Sequence, residues 1–152
     1  MSDKIVRLLS TFFYLGNFPV APGTLASFAG MLIAVTLSSF FWTYIILTAV
    51  IVFLGFKVTG RMEKILKKKD PSCVVIDEVA GILISFFCLP LTPTILIVTF
   101  FLFRAFDMFK IYPVNKFEAM EGATGIMMDD LVAGVYTNLV MQLAIRWAHL
   151  IP

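Results

Sequence analysis

A chain of 152 residues is one domain's worth of sequence, and 60% of it is hydrophobic, with a mean hydropathy of +0.95. Ordinary soluble domains are nearer roughly 45–50% apolar, so a water-soluble protein is excluded as the first reading and an integral membrane protein is expected. The 12 Lys and Arg against 10 Asp and Glu leave a net charge of +2; the sum says little, and no nucleic-acid partner is expected. Cys73 and Cys88 are far apart in sequence and lack metal-ligand spacing, so they read as packing residues. Residues 1–13 contain no long apolar run and no small-residue cleavage site, so no cleavable signal is expected.

The elements follow in order. Ile5, Leu8, Leu9, Phe12 and Phe13 share one side at helical spacing, with Lys4 and Arg7 near the start. That pattern predicts a short amphipathic helix lying at a membrane surface, or an ordinary packed first helix. A loop with two glycines and two prolines runs from Gly16 to Thr24. Thr24 is placed to N-cap the next helix, with Ser27 in its first turn. The loop reads either as a plain turn or as a helix start whose free N–H groups bind phosphate. From Leu25 to Phe56 there is no charge at all. One span needs only about 20 residues, so two helices are expected, near 24–39 and 42–60, broken at Ser38-Ser39 with Phe40, Phe41 and Trp42 at an interface. A Lys- and Arg-rich extension follows, ending near Asp70-Pro71; Lys64 to Lys69 reads as a solvated helix end near anionic headgroups. Further helices are expected at about 79–89, 94–110 and 126–149, with a polar connector over 112–124. The expected fold is an all-α, integral membrane helical bundle: a single domain over residues 1–152, with about five main helices and a short interfacial N-terminal helix. No internal repeat stands out.

An up-and-down path through these elements places every Lys and Arg except Arg146, and all 10 Asp and Glu, on one side. By the positive-inside rule that side is cytoplasmic. The loop around Thr24, the Asp77-Glu78 pair and the stretch from Phe103 to Gly134 all converge there. That last stretch carries Arg104, Asp107, Lys110, Asp129 and Asp130 beside apolar runs, where ionisable groups are costly and mark function.

Five carboxylates, Asp77, Glu78, Asp107, Asp129 and Asp130, outnumber the two neighbouring cations. Single residues among them could form plain helix-end salt bridges, but the surplus negative charge needs a cation from outside. Hard oxygen ligands suit Mg²⁺, which also takes substrate phosphate oxygens. Arg104, Asp107 and Lys110 are three apart on one helix side, so both cations can hold phosphate while the carboxylate reaches a metal. Gly81, Ala133 and Gly134 follow Asp77, Asp129 and Asp130 by four. Small residues at that spacing let the acid-bearing helices approach closely. Neither cysteine is followed by a nearby Arg, His149 is the only histidine and lies at the far end, and no Asp-x-Asp pair exists. Metal-activated water is what remains, with Asp129 or Asp130 as base. An aspartyl-phosphate on a single Asp stays open, as does the choice between one ion and two.

The motifs Gly16-x-x-Pro19-x-x-Pro22-Gly23-Thr24 with Ser27, then Asp77-Glu78, then Phe103-Arg104-x-x-Asp107-x-x-Lys110 with Pro113, then Gly125-Ile126-Met127-x-Asp129-Asp130 with Ala133-Gly134 occur in one order. From about Gly16 to Tyr136 the chain resembles the bacterial phosphatidylglycerophosphatase A family. The resemblance implies a Mg²⁺-dependent, multi-pass inner-membrane enzyme that removes the phosphate monoester from phosphatidylglycerophosphate, giving phosphatidylglycerol, the precursor of cardiolipin. Ala26, Ile111 and Ala123 depart from the family's usual Gly, Pro and Gly, which affects loop shape and removes no ionisable group. The expected site has Asp77, Asp107, Asp129 and Asp130 as catalytic carboxylates and the same four with Glu78 as metal ligands. Gly23, Thr24, Arg104 and Lys110 hold the substrate phosphate. A small divalent-cation carrier or channel using the same carboxylates is the alternative; the oligomeric state is left open.

Overall fold

The computed structural model describes residues 1–109 and 122–150. Most of the expected polar connector, with Lys110, Ile111 and Pro113, lies outside the described residues. Among the described residues there are six α-helices and no strand: α1 (Asp3–Ser10), α2 (Pro22–Leu37), α3 (Phe41–Leu66), α4 (Ile76–Phe86), α5 (Pro93–Phe109) and α6 (Ala123–Leu150), with one 3-10 turn at Leu15–Asn17.

Local chemistry sets the boundaries. Pro22 opens α2 at its first position, where its missing N–H is not needed. Ala21 before it is left-handed, at φ 47°. The helix therefore starts two residues before Thr24, which sits inside the first turn and is not the cap. Ser38 Oγ bonds back to the Val35 carbonyl at 2.8 Å, and the chain restarts as α3 at Phe41. This is the expected break at the serine pair. Lys67, left-handed at φ 50°, closes α3. Phe87 turns extended after α4, and Pro93 opens α5 as Pro22 opens α2. The last helix begins at Ala123, three residues before the expected start, so Asp129 and Asp130 lie in its second turn.

α4 is the hub. It packs against α6 and α2 most extensively, then α3 and α5. Of its residues only Glu78 and Ile84 are partly exposed. The crossing with α6 is backbone against backbone. A Cβ on Gly81 would lie 2.6 Å from the Asp130 carbonyl oxygen, and one on Gly134 would run into the Gly81 carbonyl. The small residues four positions beyond the acids are therefore where the two helices touch. The far end of α4 leaves orphan carbonyls, and side chains from both neighbours meet them. Tyr44 donates to the Leu83 oxygen, and Asn138 Nδ2 donates to Ser85 and Phe87 oxygens at 3.0 and 2.7 Å.

α1 packs on α3 with Val6 buried, and Asp3 meets Arg61 of α3 at 3.4 Å in an exposed ion pair. It is thus a packed first helix. The outside of the bundle is apolar: Trp42 is 73% exposed, Phe101 66% and Ile46 62%, while Ser27, Thr59, Asp77, Ser85, Asp129, Asp130 and Thr137 are buried. Among the described residues one helix, Phe41–Leu66, is long and apolar enough to cross a membrane by itself.

Candidate active site

The first turn of α4 carries Asp77 and Glu78 into a cavity of about 410 Å³ at one end of the bundle. Each neighbouring element supplies part of the wall. The start of α2 gives Ala21, Pro22, Gly23 and Thr24; α5 gives Arg104, Asp107 and Met108; α6 gives Asp129 and Asp130; the segment before α4 gives Asp70, Ser72 and Val74. Every candidate residue among the described ones lines this one cavity. Lys110 lies outside the described residues. Asp70 and Ser72 were not among the expected site residues. Asp70 directly follows the lysine run, at the end of a segment whose sequence reads as solvated; its place among the acids on the same side is the available signal.

Asp77, Glu78 and Asp130 each offer an oxygen, and these three atoms lie within 4.8 Å of one another. Asp77, Asp129 and Asp130 are buried and Glu78 is half-buried. The two acidic pairs share a local geometry. The Glu78 N–H donates to Asp77 Oδ1 at 3.1 Å, and the Asp130 N–H donates to Asp129 Oδ1 at 3.0 Å. Each such bond fixes the first carboxylate of a pair against its own helix. Gly23 lets α2 come against this group, since a Cβ there would strike Glu78 Oε1.

Burial holds the Asp77 carboxyl well above the usual range, and the neighbouring Glu78 charge adds to this. Burial, with help from the Asp107 charge, raises Glu78 to about 7, against the lowering effects of its bond to Asp77 and of Arg104. Carboxylates crowded this way need positive charge close by to stay ionised.

Arg104 supplies part of it. Its Nη1 meets Asp107 Oδ2 at 2.7 Å and donates to Ser27 Oγ at 3.4 Å, and Ser27 Oγ itself donates to the Gly23 carbonyl at 2.9 Å. Two buried atoms have no hydrogen-bond partner among the described residues at this site: Glu78 Oε2 and Arg104 Nε. Buried polar atoms are rarely left so. One is an acceptor and the other a donor, which is the complement of a cation and an anion bound together. The donor set is all oxygen, which suits a hard divalent ion.

Among the described residues, a cavity walled by carboxylates and one guanidinium sits at the head of the helical bundle, a setting open to more than one class of protein. Comparison with known proteins says which. The family model for phosphatidylglycerophosphatase A matches residues 8–145. The chain belongs to this family of lipid phosphatases, and so is a phosphoric monoester hydrolase. It is 34% identical over 149 residues to a Bacteroides thetaiotaomicron protein provisionally named a phosphatidylinositol-3-phosphatase, covering 92% of each chain. It is 32% identical over 146 residues to phosphatidylglycerophosphatase A of Haemophilus influenzae, covering 93% of this chain and 90% of that one. The Escherichia coli phosphatidylglycerophosphatase A is 30% identical over 132 residues, covering 85% of this chain and 77% of its own. No solved structure matches.

Proposed function

We propose that the protein is a Mg²⁺-dependent phosphatase that converts phosphatidylglycerophosphate to phosphatidylglycerol at the cytoplasmic face of the bacterial inner membrane. The observation that carries this reading is the single cavity in which carboxylates from α4, α5 and α6 face Arg104. The family supplies the lipid.

Asp77, Glu78 and Asp130 would hold the ion, with Asp107 and Asp129 lining the same cavity. When bound, Mg²⁺ supplies charge neutralisation on phosphoryl oxygens and a more acidic water. The chain's own residues do the rest. Arg104 clamps the phosphate, with its unpartnered Nε left to donate to a monoester oxygen. Asp107 and Ser27 hold the guanidinium plane in place. The first-turn N–H groups of α2 at Gly23 and Thr24 add donors for the same anion. Asp129 or Asp130 accepts the proton of the attacking water.

The apolar exterior, with polar side chains such as Ser27, Thr59 and Thr137 turned inward, supports a bundle embedded in lipid, with lipid tails against α2, α3, α5 and α6. The asymmetric charge distribution supports an orientation that places the cavity on the cytoplasmic side. The test is phosphate release by the purified protein in detergent from phosphatidylglycerophosphate, phosphatidic acid, phosphatidylinositol 3-phosphate and a soluble phosphomonoester, each with Mg²⁺ and with excess chelator. Mg²⁺-dependent release confined to phosphatidylglycerophosphate is expected. Release from phosphatidylinositol 3-phosphate alone would move the substrate to that of the Bacteroides relative's name. No release from any of them by folded, metal-bound protein would overturn the function.

A further inference from the structure

The acidic cavity poses a problem for its own substrate. Six carboxylates, Asp70, Asp77, Glu78, Asp107, Asp129 and Asp130, line it against one described cation, Arg104. An approaching lipid phosphate meets net negative charge before it reaches the guanidinium. The answer lies one turn of chain away. Lys64, Lys67, Lys68 and Lys69, all exposed, surround a surface depression of about 260 Å³ with Glu63. None of the four forms an ion pair among the described residues, where the ion pairs are Arg61 with Asp3 and Arg104 with Asp107.

The segment is built to stay where it is. Lys67 and Asp70 both take left-handed backbone, at φ 50° and 45°, turning the chain sharply off the end of α3. Glu63 then ties the turn shut: its carbonyl accepts the Lys68 N–H at 3.3 Å and its Oε1 accepts the Asp70 N–H at 3.1 Å. This holds the one carboxylate of the depression against the backbone, where its single negative charge is outnumbered by the four lysines. The next residues, Asp70 and Ser72, are already cavity wall. Lysine at a helix C-terminus has a plain use, since it complements the helix dipole. Three of these four, however, lie beyond Leu66, the last helical residue.

We propose that Lys64, Lys67, Lys68 and Lys69 form a docking surface for the phosphate groups of anionic membrane lipids, which holds them at the mouth of the acidic cavity. The proposal rests on the lipid-phosphatase reading and adds the step before chemistry: capture from the plane of the membrane. A strip of unpaired lysines beside a bilayer attracts anionic headgroups, and that attraction is weakened by salt over about 8–10 Å.

The experiment compares wild type with a Lys64→Gln/Lys68→Gln/Lys69→Gln variant, keeping Lys67 because it caps α3. Activity is measured in neutral mixed micelles at graded surface fractions of phosphatidylglycerophosphate. The half-saturating fraction is expected to rise about ten-fold with kcat within about two-fold of wild type. In parallel, native mass spectrometry reads retention of phosphatidylserine over phosphatidylcholine, a preference expected in wild type and lost in the variant. Equal phosphatidylserine retention in the two proteins, or an unmoved half-saturating fraction, overturns the proposal. A wild type that releases no lipid phosphate yet retains phosphatidylserine through these lysines overturns the function proposed above and keeps the docking surface.

Discussion

A single nitrogen, Arg104 Nη1, touches both Asp107 and Ser27, so the orientation of the whole guanidinium hangs on two short side chains. Removing the hydroxyl with Ser27→Ala leaves the Asp107 contact but loses both the bond to the Gly23 carbonyl and a long bond from the charged guanidinium; the latter is worth about 1.5 kcal/mol, or roughly ten-fold in kcat/KM for lipid substrate. Arg104→Lys keeps the charge but loses the planar fork, and is expected to cost more, roughly 30-fold or greater. Steady-state kinetics on both variants checks the order; a Ser27→Ala loss larger than that of Arg104→Lys would contradict it. Asp107→Asn and Asp129→Asn are each expected to abolish turnover while the helical circular dichroism stays that of wild type. Near-normal turnover in both would remove the assigned site. These acids were legible in the sequence because ionisable groups stand out against apolar runs. Asp70 was not, because it follows a run of lysines that dominates its surroundings. The left-handed backbone that brings it round to the cavity leaves no mark in composition.

At the scale of helices, the close crossing of α4 and α6 is what brings Asp77 and Glu78 to Asp130. Gly81→Ala would place a methyl group 2.6 Å from the Asp130 carbonyl oxygen and 2.8 Å from the Phe103 ring. The expected cost is about 1–3 kcal/mol of stability, read as a lowered thermal midpoint. Activity should fall further than stability, since the wedge separates carboxylates that must act together; unchanged activity at a lowered midpoint would show that this crossing does not set the site. Asn138→Leu acts at the other end, stranding the carbonyls of Ser85 and Phe87, and is expected to cost about 1–3 kcal/mol. The glycine spacing four beyond each acid pointed to this crossing from sequence, and the serine break between α2 and α3 was equally readable. The start of α2 was misplaced because Thr24 is a good cap in isolation, whereas Pro22 can open a helix with no cap bond at all. The short length of α4 was readable, but its position was not: it runs from Ile76 to Phe86 and not over 79–89, because an apolar run closed by Pro90 does not say where the helix gives way to extended chain.

Taken whole, the described residues form a sleeve of helices with apolar outer faces around one short helix, with the acidic cavity at one end. Mg²⁺ at about 100 times its Kd is expected to stabilise the fold by about 2.7 kcal/mol, seen as a higher thermal midpoint that chelator reverses; no shift would argue against a resident ion. Orientation is open to thiol labelling in a Cys73→Ser background. Exposed Cys88, beyond the far end of α4, should react with an impermeant maleimide from outside the cell, and Ser72→Cys only after the membrane is opened. The reverse pattern would invert the topology. The enclosure of α4 also bears on how the chain is made. Its 11 residues reach roughly 16 Å, about half of a hydrocarbon core near 30 Å, and its terminal carbonyls depend on an asparagine that lies 51 positions further along the chain. When the ribosome has produced α1 through α5, α4 lacks the length to span lipid unaided, and of the side chains that meet its last carbonyls only Tyr44 has been made. α2, α3 and α5 give it only part of its berth, and its most extensive partner arrives with α6. The acidic cavity closes in the same step, since Asp129 and Asp130 ride on α6; a nascent chain halted before Ala123 holds α4 in a cleft with one wall open.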